Sequence, residues 1–398
     1  MPRFIVLLLC GSLLGALPPT ASPDTALRAS LQNDLDRYLA ARAKAEHISA
    51  LSLSVSLHGV PQTIDVTAGT TRYGGGGAPI TPETLWQIGS NTKAFTSVLL
   101  LQLEAERKLN IRQTIGRFLP QYPAWKNVTI ARLLHMTSGI PGYDSSEKML
   151  RDYASSPNRH FTTSELVRYA YPTTPGAPAA TTGYSYSNTN YILAEMIVEK
   201  VTRHSYTDEL NRRILRAGLG LDSTYYQPYA YPPSITERMT AGYFFSHDAD
   251  NAGLAPLLGR DMRDLSVSWM QGAGGIVSRP IDVTRWARAL YTGSILAPKQ
   301  RAELMSLVSQ KTGRPIRKTT LQDPGAFGLG VAQITKPGIG TVWFYEGMTL
   351  GYRMLHLYFP RQDAVIAFGI NSQPDSKQNQ SGQLAAAIYK TLHAAGKL

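Results

Sequence analysis

Ser90-Asn91-Thr92-Lys93 sets an amine three residues after a hydroxyl. Three residues is just under one helical turn, so on a helix the two side chains share a face. A serine hydroxyl is a poor nucleophile unless a base or a cation stands beside it. Burial lowers the proton affinity of a lysine until its neutral amine can accept a proton. A helix N-terminus adds free N–H groups and a partial positive charge, so the N–H of Ser90 is a candidate oxyanion donor. The same spacing also fits a helix cap followed by a surface lysine. Ser145-Ser146-Glu147-Lys148 repeats it in a polar stretch and acts as an internal control. Context separates the two: the apolar run Leu85-Trp86-Gln87-Ile88-Gly89 leads into Ser90, and a strongly periodic helix follows it.

A second constellation is Tyr186-Ser187-Asn188, between a Pro/Gly-rich stretch and a helix. On an extended loop, residues two apart point the same way. Tyr186 is then a candidate to exchange protons near Ser90. Asn188 either caps the following helix or holds Lys93 and a substrate amide. Other chemistries find less support. The histidines show none of the spacings of a metal site, and His247-Asp248-Ala249-Asp250 reads as a solvated loop. No metal or cofactor is expected. Gly-x-Ser-x-Gly, the elbow of the α/β-hydrolases, is absent. The single cysteine, Cys10, lies at the extreme N-terminus, so the body of the chain has no disulfide, Cys-zinc site or thiol nucleophile.

These residues need a scaffold. Asp24–His47 reads as a helix, with Leu27, Leu31, Leu35 and Leu39 at every fourth place and Asp24 as a cap. Leu51, Leu53, Val55 and Leu57 alternate as a half-buried strand. Gly74–Gly77 is a turn. Ser90–Leu109 is a long helix, Thr129–Met136 and Thr163–Ala170 are short ones, and Pro172–Thr182 is a loop. Asn188–Thr202 is helical, 224–265 irregular, and Ile281–Leu290 helical again. Four strands follow, at Phe327–Ile334, Thr341–Tyr345, Tyr352–Phe359 and Ala364–Ile370, then a helix at Ser381–Ala395. Strands this close in sequence have no room for crossover helices, so they form an antiparallel meander. The expected fold is α+β: an antiparallel sheet built from both chain ends, flanked by helices, with a large mostly helical insertion. The α/β part comprises about 23–100 and 270–398, and the helical part about 101–269.

The chain has 398 residues, more than a single core accommodates. Its 40 Lys and Arg against 28 Asp and Glu give a net charge of +12. Basic residues cluster once, at Lys311, Arg314, Arg317 and Lys318, without interleaved aromatics, so nucleic-acid binding is not expected. The excess positive charge attracts anionic surfaces such as a cell wall, but is read first as that of a basic soluble enzyme. Residues 1–22 hold a basic start, an apolar run from Phe4 to Leu17 too short to span a bilayer, and a Pro-Pro break. They read as a signal peptide, implying an exported protein, periplasmic or extracellular, with no transmembrane anchor after cleavage.

Four stretches then resemble, in order, the class C β-lactamase, DD-peptidase and esterase family of serine hydrolases, whose Ser-x-x-Lys motif is established. Thr84–Thr96 (TLWQIGSNTKAFT) looks like the nucleophile segment. Thr129–Gly142 (TIARLLHMTSGIPG) is similar to the family's Leu-Leu-x-His-x-Ser-Gly stretch. Gly183–Tyr191 (GYSYSNTNY) resembles its Tyr-Ser/Ala-Asn loop. Ala273–Leu290 (AGGIVSRPIDVTRWARAL) resembles its Gly-Gly turn and helix.

The resemblance implies acyl transfer: Ser90 as nucleophile, Lys93 and Tyr186 sharing the proton work, and the N–H groups of Ser90 and Met348 holding the oxyanion. It makes Asn188, Tyr345, Gly347 and Met348 the substrate-binding and oxyanion positions, and His135 structural. The family's late Lys-Thr-Gly or His-x-Gly falls at Tyr345-Glu346-Gly347, while the literal Lys311-Thr312-Gly313 is a decoy. A phenol there lacks the lysine's charge-assisted contact with a substrate carboxylate, so efficient β-lactam hydrolysis is not expected. Arg353 offers a replacement cation only if its side chain falls on the site's side of the strand, which is the less expected case. The expected substrate is a small molecule or short peptide, cell-wall-derived ones included, bearing an ester or a D-amino-acid amide. A β-lactamase or DD-carboxypeptidase is the alternative, and a non-catalytic penicillin- or wall-binding protein is disfavoured by the intact Ser90, Lys93 and Tyr186.

Overall fold

The alternating leucines after the first helix form β1 (Ala50–Ser56), paired in a hairpin with β2 (Ile64–Gly69). The computed structural model describes residues 23–172 and 183–398. The leader reading of 1–22, capping by the Asp24 side chain and nearly all of the Pro172–Thr182 loop fall outside them. β1 was expected to be half-buried, yet both of its faces are covered, Ser52 and Ser54 included. One face carries α1 (Pro23–Glu46) and the last helix. The other faces the helix Pro280–Thr292, from which Arg288 donates to Ser56 Oγ.

The late meander is antiparallel throughout. It comprises β3 (Leu307–Ser309), β4 (Pro315–Ile316), β5 (Gly325–Phe327), β6 (Ala332–Lys336), β7 (Gly340–Met348), β8 (Arg353–Phe359) and β9 (Ala364–Ile370). The nine-stranded order is β2-β1-β9-β8-β7-β6-β5-β3-β4. β1 pairs with β9, Leu51 opposite Ile370 and Val55 opposite Ile366, so the sheet joins early and late segments. This matches the expected α+β class.

The expected strand Phe327–Ile334 is two strands. The chain reverses at 328–331, where the Gly328 N–H donates to Val331 O and Gly330 takes φ +77°. A Cβ at 330 would stand 2.9 Å from the backbone carbonyl of Lys93 and from Ser97 Oγ, so the turn needs glycine to reach the helix beneath it. The hairpin β3–β4 was not foreseen, and its turn contains Lys311-Thr312-Gly313. The expected helix Ser90–Leu109 starts as a 3₁₀ turn, Gly89–Asn91. It continues as α2 (Thr92–Ala105) and stops where Arg107 takes φ +59°.

Two apolar cores hold the layers together. One lies between the sheet and α1 with α5 (Ser381–Ala394), through Leu31, Leu35, Phe368 and Leu384. The other runs without interruption from the opposite sheet face (Met354, Val365, Ala367) through α4 (Pro280–Thr292) and α2. It continues into the helical segment around α3 (Thr189–Thr202). Emptying a buried leucine such as Leu99 costs about 2–5 kcal/mol.

Candidate active site

α2 sets the base of the site. It is buried nearly all round, and Lys93, in its first turn, is fully buried. Lys93 Nζ lies 2.9 Å from Ser90 Oγ, 2.6 Å from Asn188 Oδ1 and 2.8 Å from Ala273 O. Among the described residues no carboxylate touches it. Burial brings its pKa down to about 7, against the upward pull of Asp144. A neutral amine has two N–H groups and one lone pair. Donation to Asn188 and Ala273 uses both hydrogens and leaves the lone pair facing Ser90.

The Tyr186 hydroxyl donates to Ser90 Oγ at 2.7 Å. Its ring is exposed at the cleft, but its hydroxyl end is sunk in the site, and burial raises its pKa well above that of a free phenol. Tyr186 therefore stays a donor at neutral pH. Asn188 does not cap its helix. Its Oδ1 accepts from Lys93 while its Nδ2 donates to Asp144 Oδ2 at 2.6 Å. The loop bearing Tyr186 and Asn188 is fixed from below. Thr189 Oγ1 donates to Pro141 O and accepts from the Tyr143 N–H, Ser138 Oγ donates to Asn190 Oδ1, and the Tyr191 hydroxyl donates to Leu134 O.

β7 forms the opposite wall. A Cβ on Gly347 would stand 2.0 Å from Ile88 O and 2.8 Å from Ser90 N, and one on Gly89 would lie 2.6–2.9 Å from the Met348 backbone. Glycine at both places lets the Gly89–Asn91 turn, which carries Ser90, lie directly on the strand. Thr349 donates to Tyr352 O, so the neighbouring pair Met348–Arg353 is the non-hydrogen-bonded one of the ladder. The Met348 N–H consequently points away from β8, toward the turn that carries the unclaimed N–H of Ser90.

Tyr345 is buried beside Tyr186, and its hydroxyl makes no hydrogen bond of good geometry. Burial holds it protonated. Thr349 Oγ1 and Gln373 Oε1 are likewise buried and unpaired. All three residues line an open cleft of about 460 Å³ above Ser90, with Asp144, Asn188, Met348 and the apolar Leu254, Trp269, Phe327 and Phe344.

Arg353 does not supply the cleft with a cation. It is buried behind β8, where it donates to Glu46 Oε2 at 2.7 Å, Ser372 O and Asn379 Oδ1. Met348 opposes Arg353 as a non-hydrogen-bonded pair, and the guanidinium turns to the α1 side. Lys311 borders a different surface depression. His135 bonds Ala131 O and Ser306 O outside the cleft. Among the described residues no group of His, Cys, Asp and Glu could hold a metal.

Sequence reasoning missed three residues. Asn91 donates to Ile88 O and Met354 O and so ties the turn that carries Ser90 to β8. With both amide hydrogens committed, its Oδ1 accepts from His356 Nδ1–H at 2.8 Å. His356 Nε2 must then accept from the Tyr291 hydroxyl, 3.0 Å away. Burial drops His356 to a pKa of about 3, so it stays neutral. The third is Asp144. Only Asn91 lies within a motif, as the second residue of Ser-x-x-Lys; His356 sits among apolar strand residues and Asp144 in the short 3₁₀ turn Tyr143–Ser145.

A family model described as "Beta-lactamase" matches residues 35–389. Penicillin-binding protein 4* of Bacillus subtilis is 24% identical over 306 residues, 76% of this chain and 64% of that protein. The unguisins hydrolase ungD' of Aspergillus campestris is 28% identical over 333 residues, 79% of this chain and 56% of that protein. The chain thus matches less than two thirds of the length of either relative. D-amino acid amidase from Ochrobactrum anthropi SV3, solved with L-phenylalanine amide, superposes with a TM-score of 0.75 at 22% identity, covering 93% of this chain and 99% of that one. A D-stereospecific amidohydrolase from Streptomyces sp. gives 0.70 at 23% identity, over 88% and 96%. At these identities the superpositions speak for the fold. The family match over most of its length shows that the chain belongs to the β-lactamase family of serine hydrolases.

Proposed function

We propose that this protein hydrolyses a small ester or amide, a D-amino-acid or cell-wall-like peptide bond included, through an acyl group carried on Ser90. The observation that carries the reading is the pair of contacts on Ser90 Oγ, 2.9 Å to Lys93 Nζ and 2.7 Å to the Tyr186 hydroxyl. Neutral Lys93 takes the Ser90 proton as Oγ bonds to the substrate carbonyl carbon. The oxyanion is held by the N–H groups of Ser90 and Met348, each worth about 3–4 kcal/mol in comparable sites. As the carbonyl re-forms, the bond to the leaving amine or alcohol breaks, and that group takes a proton from Tyr186, which is replenished from Lys93. Water repeats the sequence on the acyl-enzyme and frees Ser90. Asn188 holds Lys93 and the substrate amide; Tyr345 and Gly347 form the facing wall.

A β-lactamase or DD-carboxypeptidase reading is second, because Tyr345 offers a substrate carboxylate no charge. The leader-like residues 1–22 support work outside the cytoplasm. A fluorophosphonate probe tests the first reading. Wild type is expected to label and Ser90→Ala not to; equal labelling would overturn it. A panel of p-nitrophenyl esters, D-aminoacyl anilides and nitrocefin then ranks the substrate classes, with nitrocefin expected last.

A further inference from the structure

Within a chain of net charge +12, the cleft above Ser90 is bordered, among the described residues, by two carboxylates and no lysine or arginine. One of these, Glu346, accepts from Ser381 Oγ at 2.8 Å on the α5 side of the sheet, so its charge is committed there. Among the described residues Asp144 is left as the one uncommitted carboxylate bordering the cleft. It forms no ion pair among the described residues, and its one hydrogen bond comes from Asn188 Nδ2. Asn188 in turn touches Lys93, and Lys93 touches Ser90, so one amide side chain separates Asp144 from the catalytic amine.

The remaining polar atoms of the cleft are neutral. The Tyr345 hydroxyl, on a residue 6% exposed, has only the neighbouring Tyr186 hydroxyl beside it, and Thr349 Oγ1, on a residue 3% exposed, and Gln373 Oε1 are unpaired. Buried polar atoms without partners are rare in folded proteins and call for a ligand or ordered water. These three match neutral amide or ester groups. A free carboxylate would meet no lining cation among the described residues and would share the cleft with the Asp144 carboxylate, a like-charge pairing that opposes binding.

We infer that Asp144 is a specificity-determining residue that receives an ammonium group on the acyl part of the substrate, and that the cleft selects amino-acid amides or esters over substrates ending in a free carboxylate. In an α-aminoacyl substrate the ammonium nitrogen is two bonds from the carbonyl carbon. A carbonyl held at Ser90 keeps that charge within two bonds of the reacting carbon, inside the cleft that Asp144 and Asn188 line with Ser90. The inference rests on the hydrolase reading above and names its substrate class.

The test compares phenylalanine amide, as each enantiomer, with 3-phenylpropionamide, which lacks only the amine, and with a phenylalanine dipeptide bearing a free C-terminal carboxylate. Wild type is expected to prefer one enantiomer of the amide by at least tenfold in kcat/KM over both comparators. In Asp144→Asn the side-chain oxygen still accepts from Asn188 while the charge is gone. The preference for the amine-bearing amide over 3-phenylpropionamide should then fall at least tenfold. The inference is overturned if wild type shows no such preference, or if Asp144→Asn slows both amides equally, as a role confined to positioning Asn188 requires. The wild-type comparison needs no variant to fold. Ser90-dependent turnover of a p-nitrophenyl ester keeps the outcomes apart: if it is absent the hydrolase reading fails, and if it is present without the ammonium preference only this inference fails.

Discussion

Two Ser-x-x-Lys segments in this chain have the same spacing and different fates. Lys93 is fully buried among neutral acceptors, one of them the Asn188 amide. Lys148 is exposed and pairs with Asp152 at 2.6 Å. Ser90 and Lys93 lie on one continuous turn, with Lys93 Nζ 2.9 Å from Ser90 Oγ. Ser145 closes a separate 3₁₀ turn, and Ser146 caps the helix that carries Lys148. Spacing supplies the possibility of a shared face; only burial without a counter-charge turns the amine into a base.

The sharpest way to break this contrast is to remove each hydroxyl and amine in turn. Ser90→Ala is expected to cost about 10⁴-fold or more in kcat on a p-nitrophenyl ester, and Lys93→Ala roughly 10³-fold. Ser145→Ala and Lys148→Ala should stay within twofold of wild type in the same assay. Tyr186→Phe comes next, at roughly 10²–10³-fold, because the serine contact survives from Lys93 but the donor to the leaving group is gone.

The pH profile sharpens the comparison further. In the proposed mechanism neutral Lys93 is the working form, so kcat/KM should fall as pH drops through about 7. Asp144 pulls that value up, so Asp144→Asn should move the acid limb to lower pH, read from a kcat/KM profile on the ester. An unmoved limb would assign the limb to another group.

The smallest expected effect concerns a buried acid behind Lys93. Glu195, 3% exposed, accepts from the Gly272 N–H and has a pKa raised to about 8 by burial. The folded protein keeps its proton, whereas the unfolded chain releases it near the ordinary value of 4.5. Its stabilising effect is complete below that value and is lost progressively as pH rises toward 8. Glu195→Gln should therefore raise Tm relative to wild type at pH 9 by more than at pH 5, measured by calorimetry; an equal change at both would remove the acid from this role.

Much of the frame was readable because local pattern and tertiary demand agree. The alternation in β1, the meander from Thr341 to Ile370 and the last helix all stand where hydrophobic period places them. The split between β5 and β6 was not readable from period, since Gly330 is set by contact with Lys93 rather than by its neighbours. Of the site, Ser90, Lys93 and Tyr186 were legible through spacing and context, and the structure brings their polar atoms together. Asp144 and His356 were not. Their roles lie in contacts with Asn188, 44 positions on, and Asn91, 265 positions back, which no local pattern encodes. Arg353 shows its charge in the sequence but not its direction: strand alternation turns it toward Glu46.

The pairing of β1 with β9 has a consequence for how the molecule is made. Asn371 accepts from the backbone of Ser49 across 322 positions, so the central strands cannot close until nearly the whole chain has emerged from the ribosome. High contact order of this kind slows folding, and β1 waits meanwhile with an unpaired edge open to association with other chains. Any truncation reaching Ala364–Ile370 removes the partner strand and leaves that edge permanently uncovered.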